Sequence, residues 1–155
     1  MDEIDVAILN ELRKNARISN RALAERVHLS PSAVLGRVTR LKHSGVIKGF
    51  ETRLDCEKLG LGLTVLVELR IEKNIADRRI GELLSRYPEI LEIYDVSGNC
   101  DYLLKVVTSG SGALRELLCR IGQIPGVGSS RTTLVLGTLK QELSPAVRLP
   151  RPENE

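Results

Sequence analysis

Ser30-Pro31-Ser32-Ala33-Val34-Leu35-Gly36-Arg37-Val38-Thr39-Arg40-Leu41-Lys42-His43 is the stretch on which the fold of the first third of the chain turns. Ser30 suits a helix N-cap, because its hydroxyl can take an orphan backbone N–H. Pro31 then occupies the first helical position, where a missing N–H costs nothing. At roughly 100° per residue, Val34, Val38 and Leu41 fall on one side of the helix. Gly45 follows as a residue able to terminate it at C′.

The same grammar extends backward. Ser19 caps a second helix with Leu23 and Val27 inward and Arg21, Glu25 and Arg26 outward. Ile18 before one cap and Leu29 before the other pair with Leu23 and Val34 as hydrophobic staples. Only the short turn His28-Leu29 separates the two helices. In a first helix, Ile4, Ile8 and Leu12 recur every four residues and make a single apolar stripe. Two capped helices joined by so short a turn are a helix-turn-helix, although a plain helical hairpin shares that outline. The third helix separates the two readings by its surface. Ser32, Gly36, Thr39, Arg40 and His43 lie opposite the apolar side, and Arg37 and Lys42 flank them. Small hydroxyls, a glycine and cations form a face that can enter a major groove. Neither Asp nor Glu occurs between Arg26 and Phe50, whereas Arg26, Arg37, Arg40, Lys42 and Lys48 do. Ser30, Ser32, Gly36, Arg37, Thr39, Arg40, Lys42, His43 and Lys48 are therefore the candidate contacts to double-stranded DNA. Gly36 costs the helix about 1 kcal/mol relative to alanine.

After Gly45, Val46 to Leu54 reads as a strand leaving the helical domain, and Asp55 to Gly62, with Gly60 and Gly62, as a linker. The second half alternates differently. Leu63, Val65, Val67, Leu69 and Ile71 have the period of a half-buried strand. Ile80, Leu83, Leu84 and Tyr87 mark a helix, Leu91–Val96 and Tyr102–Val107 two strands, and Leu114, Leu117, Leu118 and Ile121 a second helix. A last strand runs from Val127 or Arg131 to Lys140. The expected fold is α+β: a three-helix helix-turn-helix domain over 1–50, a linking strand and linker over 51–62, a βαββαβ ferredoxin-like domain over 63–142, and a tail over 143–155. Strands three and four carry apolar residues at odd and even positions (Leu103, Leu104, Val106, Val107; Leu134, Val135, Leu136). A sheet apolar on both faces needs a second cover, and a second subunit supplies one, so a homodimer is expected.

Bulk properties exclude other classes. At 155 residues, 42% hydrophobic and 28% charged, the chain has an ordinary globular composition with a net charge of +3. No apolar run reaches the ~20 residues of a membrane helix, and the acidic start Met1-Asp2-Glu3 is unlike a signal peptide. Cys56, Cys100 and Cys119 are widely separated and fit neither a disulfide framework nor zinc spacing, which suits a cytoplasmic protein. No nucleophile–base set, P-loop or dinucleotide fingerprint is present, so neither an enzyme nor a cofactor or metal site is expected.

Taken in order, Ile4-Asp5-Val6-Ala7-Ile8-Leu9, Ala16-Arg17-Ile18-Ser19-Asn20, Leu29-Ser30-Pro31-Ser32, Arg37-Val38, Arg40-Leu41 and Gly45-Val46-Ile47-Lys48-Gly49-Phe50 resemble the Lrp/AsnC (feast/famine) family of transcriptional regulators. Ser97-Gly98-Asn99-Cys100-Asp101-Tyr102, Pro125-Gly126-Val127, Arg131-Thr132 and Lys140 continue the resemblance over nearly the whole chain. It implies dimers that assemble into octamers or similar rings and bind an amino-acid effector between dimers. It also implies a pocket built on the loop Gly98, Asn99, Cys100 and Asp101, with Thr132 nearby. Asp101 would meet the ligand's ammonium and the loop N–H groups its carboxylate. Apart from the family, the same four residues read as a hairpin turn with Gly and Asn at φ > 0. Cys100 stands where the family often has a bulkier residue, and Gly36 where it has a longer side chain. Two rivals share parts of this layout: an architectural DNA-binding protein without an effector, and a sirohaem-decarboxylase-like enzyme. The latter needs acid–base and cationic groups in the second domain, yet both histidines, His28 and His43, fall in the first.

Overall fold

The computed structural model describes residues 1–72 and 78–149. The chain divides into two compact units, Met1–Arg53 with Lys140–Glu155, and Leu54–Leu139. The expected tail therefore contributes to the first unit, with residues 150–155 outside the described part.

In the first unit, helices α1 (Glu3–Lys14), α2 (Asn20–Val27) and α3 (Pro31–His43) enclose a small core. Ile8, Leu9, Leu23, Ala24, Val34 and Leu41 are buried there, with Ile18, Val27, Leu29 and Val38 packed around them. Both expected caps form: Ser19 accepts from the Ala22 N–H and Ser30 from the Ala33 N–H. His28 ends α2 in the left-handed region at φ 54°, where its N–H reaches the Ala24 carbonyl. Gly45, at φ 75°, ends α3 as expected of a C′ glycine, donating to the Lys42 carbonyl. Residues 140–149 lie against α1. The Asn10 amide donates to the Val147 carbonyl at 3.0 Å and accepts the Val147 N–H at 3.1 Å. Arg13 pairs with Glu142 at 3.2 Å, and Val147 packs on the helical core.

The strand expected over Val46–Leu54 does not form. A strand requires a neighbouring strand for its N–H and C=O groups, and no described strand pairs with this segment, which instead runs irregularly with Phe50 and Leu54 exposed.

The second unit runs β1 (Leu63–Ile71), α4 (Arg78–Leu84), β2 (Ile90–Asp95), β3 (Tyr102–Thr108), α5 (Ser111–Gly122) and β4 (Val127–Leu134). The sheet order is β2-β3-β1-β4, antiparallel throughout, which is the ferredoxin-like arrangement. Register decides its two faces. Val65, Val67 and Leu69 stand opposite Val106, Leu104 and Tyr102, and all six are buried with Ile80 and Leu84 of α4 and Leu117 and Ile121 of α5. On the other face lie Thr64, Leu66, Glu68 and Arg70 of β1 with Leu103, Lys105 and Val107 of β3. Apolar residues on both faces are thus found in β3, interrupted by Lys105, which pairs with Glu92 at 2.8 Å. They are not found in β4, a polar edge strand exposed along nearly its whole length. β4 also ends at Leu134 rather than Lys140. Its partner β1 starts at Leu63, so one more bond, Val135 N–H to the Thr64 carbonyl, closes the ladder, and Leu136 and Leu139 stand in the open.

Among the described residues no helix is long and apolar enough to cross a membrane.

Candidate DNA-reading helix and ligand cavity

The exposed face of α3 is built from small side chains. Ser32, Gly36, Thr39, Arg40, Lys42 and His43 are exposed, Arg37 is half-buried, and Ser30 and Lys48 are exposed at either end. A Cβ on Gly36 would meet nothing within 4 Å, so the glycine leaves open surface rather than relieving a clash. Ser30 Oγ is already engaged as the cap, 3.2 Å from the Ala33 N–H, and lies 3.1 Å from Ser32 Oγ. His43 Nδ1 stays close to its own helix, 2.9 Å from the Thr39 carbonyl oxygen, and the Lys42 ammonium sits 5.8 Å over the Phe50 ring.

The run without acids in sequence is not acid-free in space. α1 brings two carboxylates beneath α3. Asp2 caps α1 and accepts the Asp5 N–H at 2.8 Å, and Asp5 accepts the Asp2 N–H at 3.1 Å, a reciprocal capping box. Arg37 Nη1 reaches Asp2 at 2.6 Å and Asp5 at 2.8 Å. Arg40 Nη2 lies 3.0 and 2.9 Å from the two Asp5 oxygens. Asp5 is only 1% exposed. Its burial pushes the carboxyl up, but the Arg37 hydrogen bond, the Asp2 N–H and the Arg40 charge together hold it below the usual carboxylate range. Arg37 likewise holds the Asp2 carboxyl low, and the two aspartates raise the Arg37 guanidinium. A third clamp joins Glu11 of α1 to Lys14 and Arg26, which hold its carboxyl low. Asp2 and Asp5 were not among the expected site residues. The spacing Asp2-x-x-Asp5 ahead of an apolar helix is a capping-box signal that would have pointed to them.

In the second unit a cavity of about 320 Å³ opens between Glu68, Leu69 and Arg70 of β1, Asn99 and Cys100 of the β2–β3 loop, and Ser129, Ser130 and Arg131 of β4. Of the expected effector residues, Asn99 and Cys100 line it, whereas Gly98 and Thr132 do not. Gly98 supplies a left-handed φ of 133° to the loop. Thr132 pairs with Val67, on the face away from Glu68 and Arg131. Asp101 braces the loop: its Oδ2 accepts the Ile71 N–H at 2.7 Å and its own N–H donates to the Leu69 carbonyl at 2.9 Å. Beside the cavity the β1–β4 register shifts at Arg70/Ile71, and there Gly128 packs so closely that a Cβ would lie 2.6 Å from Glu72 Cγ and 3.2 Å from the Arg70 carbonyl oxygen. Glu68, Arg70 and Arg131 make no ion pair within the subunit among the described residues, so a cavity wall offers both signs of charge. They escaped the sequence reading because a charged residue in an alternating strand looks like ordinary solvated surface.

A three-helix unit with a capped, cation-bearing third helix, joined to a βαββαβ unit with a polar cavity, defines a helix-turn-helix DNA-binding protein with a ligand-binding domain. Comparison with known proteins agrees in both halves: the AsnC-type helix-turn-helix domain matches residues 1–42, and the Lrp/AsnC ligand binding domain matches residues 64–145. The leucine-responsive regulatory protein of Escherichia coli K12 is 40% identical over 144 residues, which cover 91% of this chain and 88% of that protein. A Neisseria meningitidis transcriptional regulator solved as its L-Met complex superposes with a TM-score of 0.87 at 29% identity, covering 93% of this chain and 95% of that one. The Mycobacterium tuberculosis leucine response regulatory protein gives a TM-score of 0.84 at 30% identity over 94% of this chain and 99% of that one. The chain belongs to the Lrp/AsnC family of transcriptional regulators.

Proposed function

We propose that this regulator reads DNA through the exposed face of α3 and takes an amino-acid effector in the cavity of its second unit. The observation that carries the effector class is the charge of the cavity wall. Glu68 offers a partner for an ammonium, Arg70 and Arg131 offer partners for a carboxylate, and Asn99 with the loop amides completes the donors. An α-amino acid presents those two groups on one carbon, which a neutral or singly charged metabolite does not. The Neisseria relative crystallised with L-Met supports the same ligand class. The face of the sheet opposite α4 and α5 is covered by a second subunit. Such a dimer sets two recognition helices on half-sites about one DNA turn apart, and dimers assemble further into an octamer in the cytoplasm. The chain acts by binding, without catalysis.

A thermal-shift series of the full chain with the twenty L-amino acids tests the effector. At a hundred times its Kd, the cognate ligand raises Tm by roughly 5–10 °C. No shift with any amino acid, against a clear shift with a metabolite of another class, would overturn the assignment.

A further inference from the structure

The ion cluster between α1 and α3 is larger than a helix clamp requires. Asp5 accepts four hydrogen bonds, from the Asp2 N–H, Arg37 Nη1 and, at both oxygens, Arg40 Nη2, so its buried carboxylate is fully used. The two guanidinium groups are not. Arg40 gives Asp5 only its Nη2 and Arg37 gives the aspartates only its Nη1; the other nitrogens of both have no partner among the described residues. The Arg40 side chain is 62% exposed, and one corner of its guanidinium is held by a carboxylate that is 1% exposed. A guanidinium is a rigid planar fork, so fixing one corner fixes the direction of the remaining N–H groups. Asp2 and Asp5 also cancel the charges of Arg37 and Arg40 one for one.

We propose that Asp5, assisted by Asp2, is a specificity-determining positioning residue. It aims the free edges of Arg37 and Arg40 outward from α3 and neutralises them against indiscriminate phosphate binding, so that they serve base edges. This rests on the reading of α3 as the DNA-contacting helix. A free arginine finds a phosphate anywhere along a duplex, and each such contact adds about 0.9 to the slope of log K against log salt. An arginine whose charge is cancelled by a carboxylate displaces few of the counterions condensed on the duplex, and contributes where its oriented donors meet a matching base.

The test uses the full chain and two probes: a duplex that the wild-type protein selects from a random-sequence library, and a scrambled duplex of equal length. Asp5→Asn keeps the size of the side chain and removes its charge. Asp2→Asn does so at an exposed N-cap where asparagine caps equally well, and it keeps the test valid should Asp5→Asn unfold. For each variant, binding to the scrambled duplex should strengthen. Its salt slope should steepen by about one, equal to roughly fourfold in affinity across a fourfold change in salt. Preference for the selected duplex should fall about tenfold, less for Asp2→Asn. Arg40→Ala should lose preference without steepening the slope. If both aspartate variants weaken the two duplexes equally with an unchanged slope, the cluster only clamps helices and the proposal is wrong. A wild-type protein that selects no duplex would instead remove the DNA-reading helix itself.

Discussion

Replacing Asp101 separates what the β2–β3 loop does for the fold from what it does for a ligand. Its carboxylate accepts the Ile71 N–H at 2.7 Å, next to the register shift at Arg70/Ile71 where the ladder is interrupted. Asp101→Ala leaves that part-buried N–H without an acceptor, at a cost of about 1–3 kcal/mol. Asp101→Asn keeps an oxygen there and loses only the charge assistance, so it should cost about half as much. With ΔTm of roughly 2–4 °C per kcal/mol for a chain of this size, Asp101→Ala should melt about 2–12 °C low and Asp101→Asn about half that. Effector affinity follows a different order. If the carboxylate also faces the ligand's ammonium, both variants lose that charge, and each should weaken binding by about 2 kcal/mol, some thirtyfold in Kd. Urea unfolding followed by circular dichroism gives the first quantity, and calorimetric titration with the amino acid found by thermal shift gives the second. Equal destabilisation by Asn and Ala would refute the hydrogen-bond account. Wild-type Kd in Asp101→Asn would refute the ammonium role and shift it to Glu68.

Gly128→Val should destabilise the second unit by about 1–3 kcal/mol, because its Cβ must displace Glu72 and press on the Arg70 carbonyl; denaturant midpoints check this, with Gly128→Ala milder because it adds that Cβ without the two γ-methyl groups. Asn10→Ala removes both hydrogen bonds to Val147 and should lower the stability of the first unit by about 1–2 kcal/mol, exposing residues 142–147 to limited proteolysis. Asp2, Asp5 and Glu11 all have folded carboxyl pKa values below their ordinary ones. Their stabilising contribution is therefore complete above the ordinary carboxylate range and lost as pH falls through the lowered values. The first unit should accordingly weaken below about pH 4, seen as loss of helical circular dichroism, and less steeply in Asp2→Asn.

Local signals carried most of the fold. Caps at Ser19 and Ser30, the Pro31 start and the Gly45 stop depend on residues within a few positions of one another, so they can be read from a string. The β1 alternation is equally local, and the buried Val65, Val67 and Leu69 follow from it. What escaped was set by partners distant in sequence. The segment 46–54 has strand composition but no neighbouring strand, and β4 stops where β1 has run out. On α3, the absence of acids was real along the chain, and Asp2 and Asp5 arrive from a helix more than thirty positions away. In the cavity, the loop at Asn99 and Cys100 was legible through family resemblance. Thr132 pairs with Val67 and falls outside the cavity lining, since strand register decides which face a side chain takes and a one-position difference reverses it. Glu68, Ser129 and Arg131 converge only through the β1–β4 pairing.

The first unit is stitched from both ends of the described chain, with Val147 seated on a core whose other members precede Ile47 or include it. Synthesis proceeds at roughly 5–20 residues per second, so Val147 emerges several seconds after α3, with the whole of Leu54–Leu139 made in between. Helices α1–α3 thus wait for their last packing residue until the whole of the second unit has been made. A truncated translation product would carry the recognition helix without its full stability, a built-in handicap for a fragment that could otherwise occupy operators without responding to ligand.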